Sequence, residues 1–243
     1  LCALELVFLI TVLAKVARLT ELCWAGSVFP LFPLALLALA AAGASGGVGA
    51  AGSGAALLTW ALGVLLVITL VPTLAETEAP VDVGSGADGA AIWTVLLTSM
   101  YGVFVPAGGQ RRKGRLWAAV SIYTMNIVFV SWGRSGAVPF LTAVKNAELL
   151  GTFQRYEALA ACAITIGLWE LMLLLSCAGN TMLKRLGRKG GWEAALAAAG
   201  FLFVVERLPQ WWYVIGMTIF CGAVPATALC VERIRKNQKT RKK

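Results

Sequence analysis

One acid in the middle of a long apolar segment, Glu170, is the residue of this chain that is best placed to do chemistry. It lies about fourteen residues, or roughly 20 Å of helix, into that segment, in a chain that is 59% hydrophobic. An ionisable side chain in lipid is costly unless it is paired or faces water. We predict that Glu170 points into a helical bundle, toward the apolar segment 91–106 or the partial span 1–17, either as a coupling site for a proton or cation or as a hydrogen-bonded structural residue.

A second group of polar residues interrupts the short apolar segment 91–106. Thr98, Ser99, Tyr101 and Gly102 lie in the middle of this segment. Short or glycine-interrupted segments are typical of discontinuous helices, whose freed backbone groups bind substrates or ions near the middle of the membrane. We therefore predict an unwound turn with candidate ligand-binding residues. The alternative is an ordinary tilted helix whose hydroxyl groups bond to their own backbone.

The next apolar segment carries Asn126, a candidate coupling residue within the membrane. Ser121 and Thr124 lie in the same segment. Amide and hydroxyl side chains at such positions often join helices to one another rather than bind a ligand. Both interpretations of Asn126 stay open.

Several kinds of catalytic site are excluded by composition. The chain has no histidine, which excludes an imidazole base and a His-dependent triad. Its six cysteines are scattered and form no CxxC pair, so we expect no zinc site. We find no phosphate-binding loop, no nucleophile elbow and no pair of carboxylates at a catalytic spacing. The sequence therefore predicts a protein that is not an enzyme and that holds no metal or cofactor.

The elements that must position these residues are membrane helices. The mean hydropathy is +0.79 and charged residues make up only 14% of the chain, more apolar surface than a soluble core of this size can bury. We predict an all-α, polytopic membrane bundle over residues 1–231, followed by a basic cytoplasmic tail, 232–243. One predicted span is partial and seven are complete: 1–17 (partial), 23–42, 55–74, 90–106, 116–133, 156–178, 192–208 and 210–231. A flexible, glycine-rich connector is predicted at 43–54.

The positive charge of the chain gives the orientation of these spans. The net charge is +9, and the basic residues cluster in the predicted loops 110–115 and 180–191 and in the tail. These three segments fall on one side of the predicted bundle, which the positive-inside rule makes cytoplasmic. We therefore expect membrane lipids, and not nucleic acid, beside these charges. A docking site for a partner protein is the alternative for the tail.

The segment VPFLTAVKNAELLGTFQRYEALAACAITIGLW, residues 138–169, resembles the B subunit of spore germinant receptors, the endospore germination permeases. In that family an amphipathic run leads to a Phe-x-x-Arg-x-Glu/Asp-Ala-Leu motif and then to a membrane helix. One residue fewer separates Phe from Arg in this chain. The residues that carry the likeness are Pro139, Leu141, Phe153, Arg155, Glu157, Ala158 and Leu159.

The resemblance implies the fold of the amino acid–polyamine–organocation transporters, which has ten helices in an inverted repeat. By count, the spans of this chain are similar to helices three to ten of that fold, so we expect a fragment or a degenerate copy that lacks the first two. The family's ligand sits between broken helices one and six, and segment 91–106 corresponds to helix six. Arg155 and Glu157 would then lie at headgroup level. The matched motif gives no role to Glu170.

The function implied by the resemblance is that of a germinant-receptor subunit in the inner membrane of the bacterial spore. Such a subunit would sense a small nutrient, for example an amino acid, and would signal through partner A and C subunits. The alternative is a secondary transporter of amino acids or polyamines in the cell membrane. A membrane-embedded assembly subunit without a ligand is a third possibility.

Overall fold

In a computed structural model of the chain, the described residues are 2–23, 31–47, 60–65, 67–68, 156–224, 227 and 230–231. Every regular element in these ranges is a helix. The elements are α1 (Cys2–Cys23), α2 (Phe32–Ser45), α3 (Tyr156–Arg185), α4 (Glu193–Phe201), a 3₁₀ helix (Val205–Arg207), α5 (Gln210–Met217) and a π-helix (Thr218–Ala223).

The centre of the described structure is α3, which packs against α1, α2 and α4. Its stretch Ala158–Arg185 has a mean hydropathy of 2.1 over its most apolar part. At 1.5 Å per residue this stretch is about 42 Å long, more than the roughly 30 Å of a hydrocarbon core. Within the described ranges it is the one helix whose length and composition suit a membrane crossing, although the buried core helix of a soluble protein meets the same criteria.

The core joins α3 to both N-terminal helices. Because α1, α2 and α3 each turn one apolar stripe toward the others, their large aliphatic side chains meet between the helices. These side chains are almost fully buried: Leu9, Leu13, Leu37, Ile164, Leu171, Met172 and Leu175. Small residues such as Ala14, Ala40 and Ala163 are fully buried among them, which allows the helix backbones to approach closely.

The C-terminal segment docks on α1. The rings of Phe8 and Phe220 stack with their centroids 5.3 Å apart, and the Lys15 ammonium lies 5.3 Å from the centroid of the Tyr213 ring. The Tyr213 hydroxyl donates a hydrogen bond to the Val205 carbonyl oxygen at 3.2 Å. The first described helix, α1, therefore has one aromatic contact with α5 and one with the π-helix that follows it.

Two predicted boundaries at the N-terminal side need correction. Residue 23 belongs to α1, and α2 begins only at Phe32, where Pro33 occupies the first turn; proline is tolerated there because its missing N–H would have no helical partner. The predicted connector 43–54 was wrong at its start, since α2 continues to Ser45. A Cβ added to Gly43 would lie 2.8 Å from Leu173 Cδ1, so this glycine permits the close approach of α2 and α3.

The predicted span 156–178 lies wholly within α3, but the helix continues to Arg185. The predicted loop 180–191 is therefore helical in its first half. Residues 180–185 contain neither glycine nor proline, so nothing in their backbone preferences stops the helix. The helix ends where Gly187 adopts a φ of +79°.

The predicted span 192–208 is not one continuous helix. The nine residues of α4 end at Phe201, and the next turns are tighter, with Val204 N–H donating to the Phe201 carbonyl and Arg207 N–H to the Val204 carbonyl. Gly200 and two β-branched valines lower helix propensity here. The break between the predicted spans 192–208 and 210–231 lies at Leu208, which is extended, as the residue before a proline prefers.

We expect Gly187→Ala to lower the free energy of unfolding by about 1 kcal/mol. The Arg188 N–H donates to the Leu183 carbonyl oxygen at 2.9 Å and the Gly187 N–H to the Lys184 carbonyl oxygen at 3.1 Å, a Schellman cap that requires the positive φ of residue 187. Thermal unfolding of the purified chain in detergent measures the change. Gly200→Ala is the matched control, since a Cβ there meets nothing; equal losses in both variants would contradict this account.

Candidate functional site

Glu170 is the candidate coupling residue that the structure describes in full. None of the Glu170 side chain is exposed. Leu168 and Leu171, which flank it in the sequence of α3, are also buried. The cost of placing a carboxyl in apolar surroundings predicted this interior position. Its role in coupling or in packing stays a prediction.

The helical register gives the face on which Glu170 lies. Leu173 and Cys177 follow it at three and seven residues, so the three side chains share one stripe of α3. Leu173 contacts α2, because its Cδ1 occupies the space beside Gly43. The carboxyl therefore lies on the side of α3 that packs against α2. A group held on this face can bind a proton, or a cation that enters between the helices.

Several hydroxyl groups on α3 and α1 are already used by their own helix. Thr165 and Thr181 of α3 each donate a hydrogen bond of 2.8 Å to the carbonyl four residues earlier, and Thr11 of α1 donates one of 2.7 Å to a carbonyl three residues earlier. Such bonds satisfy the hydroxyl without a second helix. These threonines therefore stabilise the helices and leave little donor capacity for a ligand.

Two other polar atoms on α3 differ from these hydroxyls. Trp169 Nε1 and Ser176 Oγ are buried, and neither has a hydrogen-bond partner among the described residues. They are seven residues apart, two helical turns, and so lie on one stripe of α3. An indole N–H donates, and a serine hydroxyl both donates and accepts. This stripe is next to the Glu170 stripe and could supply polar contacts to a small molecule or a water molecule.

Sequence analysis did not identify Trp169 and Ser176 as candidates. The signal for Ser176 was available, since it is the hydroxyl that follows the acid on the same apolar helix. Trp169 gave no such signal, because the burial of its indole nitrogen depends on how the helices pack. Asn180, also buried, has a structural role, since its Oδ1 accepts a hydrogen bond of 2.9 Å from the Gly191 N–H.

The remaining predicted site residues cannot be placed beside Glu170. Those outside the described residues are Thr98, Ser99, Tyr101, Gly102, Asn126, Pro139, Phe153 and Arg155. The backbone of Glu157 lies in the first turn of α3, but its side chain is outside the described part. No three acidic or cysteine side chains come together at a metal-binding distance within the described residues.

No protein-family model, curated protein or solved structure matches this chain. The resemblance of segment 138–169 to the germination permeases stays a prediction. The function that this resemblance implies is a proposal, and its structural support comes from the geometry of α3.

Proposed function

We propose that this chain is an integral membrane subunit of a spore germinant receptor, which senses a small nutrient such as an amino acid and takes part in triggering germination. One observation carries the proposal. The motif residues Phe153 and Arg155 directly precede α3, the helix of membrane-crossing length, and this helix buries Glu170 completely. A soluble helix has little reason to bury an acid, whereas ligand-binding and coupling sites of membrane proteins place one in the bundle interior.

The proposal includes the partners and the location that the resemblance implies. The subunit would belong to a polytopic, ten-helix transporter-like bundle in the inner membrane of the spore, with A and C subunits as partners. The nutrient would bind near segment 91–106, and Glu170 would couple its binding to a movement between α3 and α2. Gly43 in this interface lets the backbones of α2 and α3 approach closely, so a change at Glu170 would be felt by both helices.

A secondary transporter of amino acids or polyamines is the second candidate function. The observation that favours it is again Glu170, since a buried carboxyl within a membrane helix is typical of proton-coupled or cation-coupled transport. Uptake by proteoliposomes distinguishes the two functions. Accumulation of a radiolabelled amino acid that follows a proton gradient supports the transporter, and nutrient-triggered germination without such uptake supports the receptor.

Glu170→Gln tests the proposed coupling role in spores that carry the full-length protein with its partner subunits. We expect the variant to reach wild-type abundance, because glutamine keeps the size and hydrogen-bonding capacity of the side chain, and to lose at least about tenfold in nutrient response. Germination is followed by the loss of refractility and is normalised to the amount of protein in the membrane.

Two further variants separate coupling from packing. Glu193→Gln removes an exposed acid from α4 and should leave the response unchanged. Glu170→Leu should lower abundance if the carboxyl is hydrogen-bonded between helices. A full response in the Glu170→Gln spores would reduce Glu170 to a packing residue and would contradict the coupling role.

A further inference from the structure

The last turn of α3 and the loop that follows it present a cationic surface. Lys184, Arg185, Arg188 and Lys189 are all exposed, and the sequence has no acid between Glu170 and Glu193. Within the described ranges none of these four side chains forms an ion pair. Four cations within six residues attract an anionic partner, and their charges are free to contact it.

Two large apolar side chains lie within the same surface. Leu186 is 45% exposed and Trp192 is 47% exposed. A solvated basic loop does not need such residues, but a loop at the boundary between headgroups and acyl chains does, since tryptophan and leucine prefer that layer while lysine and arginine reach the phosphates. The position agrees with this, because the loop directly follows the C-terminal end of the apolar helix α3.

The loop is also held in one shape. Its first turn is closed by the Schellman cap at Gly187, and its end is closed by the hydrogen bond from the Gly191 N–H to the buried Asn180 side chain. Gly190 has a φ of +69°, and a Cβ there would lie 3.1 Å from the Asn180 carbonyl oxygen. Because both ends are fixed, the backbone that carries the four cations loses little conformational freedom on binding.

We propose that Lys184–Trp192 is a binding site for the headgroup of an anionic phospholipid, with Arg188 and Lys189 on the phosphate and with Leu186 and Trp192 inserted beside the acyl chains. The inference rests on the proposed membrane location but not on nutrient sensing. The net charge of the surface and its two apolar side chains favour a lipid over a soluble anion, which would gain nothing from Leu186 and Trp192.

The test measures lipid that stays bound to the full-length protein, by native mass spectrometry after delipidation and exposure to equal amounts of phosphatidylglycerol and phosphatidylcholine. We expect phosphatidylglycerol to be retained in preference to phosphatidylcholine. Arg188→Gln combined with Lys189→Gln should reduce its retention by about tenfold, since each cation near an anionic surface contributes a several-fold gain in affinity. Arg188→Lys combined with Lys189→Arg keeps both charges and should retain the lipid.

The matched control removes two charges elsewhere, by Lys242→Gln combined with Lys243→Gln in the basic tail. An equal loss in the tail variant would show that net charge alone governs retention and would overturn the site. Equal retention of the two lipids, or full displacement by millimolar inorganic phosphate, would also overturn it. Failure to retain either lipid would instead count against the membrane location, so the two proposals fail in different ways.

Discussion

Leu13→Ala is expected to lower the free energy of unfolding by about 2 to 5 kcal/mol. Leu13 has no exposed surface and lies in the middle of α1, where that helix packs against α3. The alanine variant would leave a cavity whose lining atoms lose their contacts, and this loss of packing applies in lipid as well as in water. Denaturation with sodium dodecyl sulfate in mixed micelles, followed by circular dichroism, measures the change.

Leu4→Ala is the matched control for this prediction. Leu4 is on the same helix but is 64% exposed, so its truncation creates no cavity and should change the unfolding free energy by less than about 0.5 kcal/mol. Similar losses for the two variants would mean that α1 does not pack against α3 through the Leu13 face.

Gly179→Leu is expected to lower the unfolding free energy by about 1 to 3 kcal/mol. Gly179 lies where α3 meets two other helices, and a Cβ there would be 3.0 Å from Ala194 Cβ and 3.3 Å from Leu9 Cδ2. The alanine methyl is attached directly to the backbone of α4, so that helix has to move as a whole to make room. The same micelle titration measures this loss.

Gly200→Leu provides the comparison, since it makes the same substitution in a helix where an added Cβ meets nothing. Leucine has a higher helix propensity than glycine, and this control should be neutral or slightly stabilising. Combining Gly179→Leu with Leu9→Ala should give a smaller loss than the sum of the two single variants, because the smaller residue makes room for the larger one. Strict additivity would argue against contact between these positions.

The sequence predicted the helical class, the location of α3 and the interior position of Glu170, because each follows from the cost of placing polar groups in apolar surroundings. It did not predict where α3 ends. The polar residues 180–185 indicated a loop, but lysine, arginine, threonine and leucine are compatible with a helix, and only the positive φ of Gly187 ends it.

The contacts between helices could not be predicted from the sequence either. Gly43 lies in a glycine-rich run that is typical of a flexible connector, yet it belongs to α2, where Leu173, far away in sequence, packs against it. For the same reason, the predicted orientation of Glu170, toward segment 91–106 or the partial span 1–17, did not include α2, on whose side its stripe of α3 lies. The predicted partners of the site, including Ser99 and Asn126, stay predictions.

The contacts of α1 have a consequence for the order in which the protein is assembled during synthesis. Apart from its contact with α2, its buried face is covered by α3 and α4, and its Phe8 ring stacks on Phe220, so these later partners are made long after it. At roughly 5 to 20 residues per second, a ribosome needs on the order of ten seconds to reach α3 after completing α1. During that interval Leu9, Leu13 and the charged Lys15 have none of these native neighbours. The helix α1 is thus completed well before the helices that cover most of its buried face.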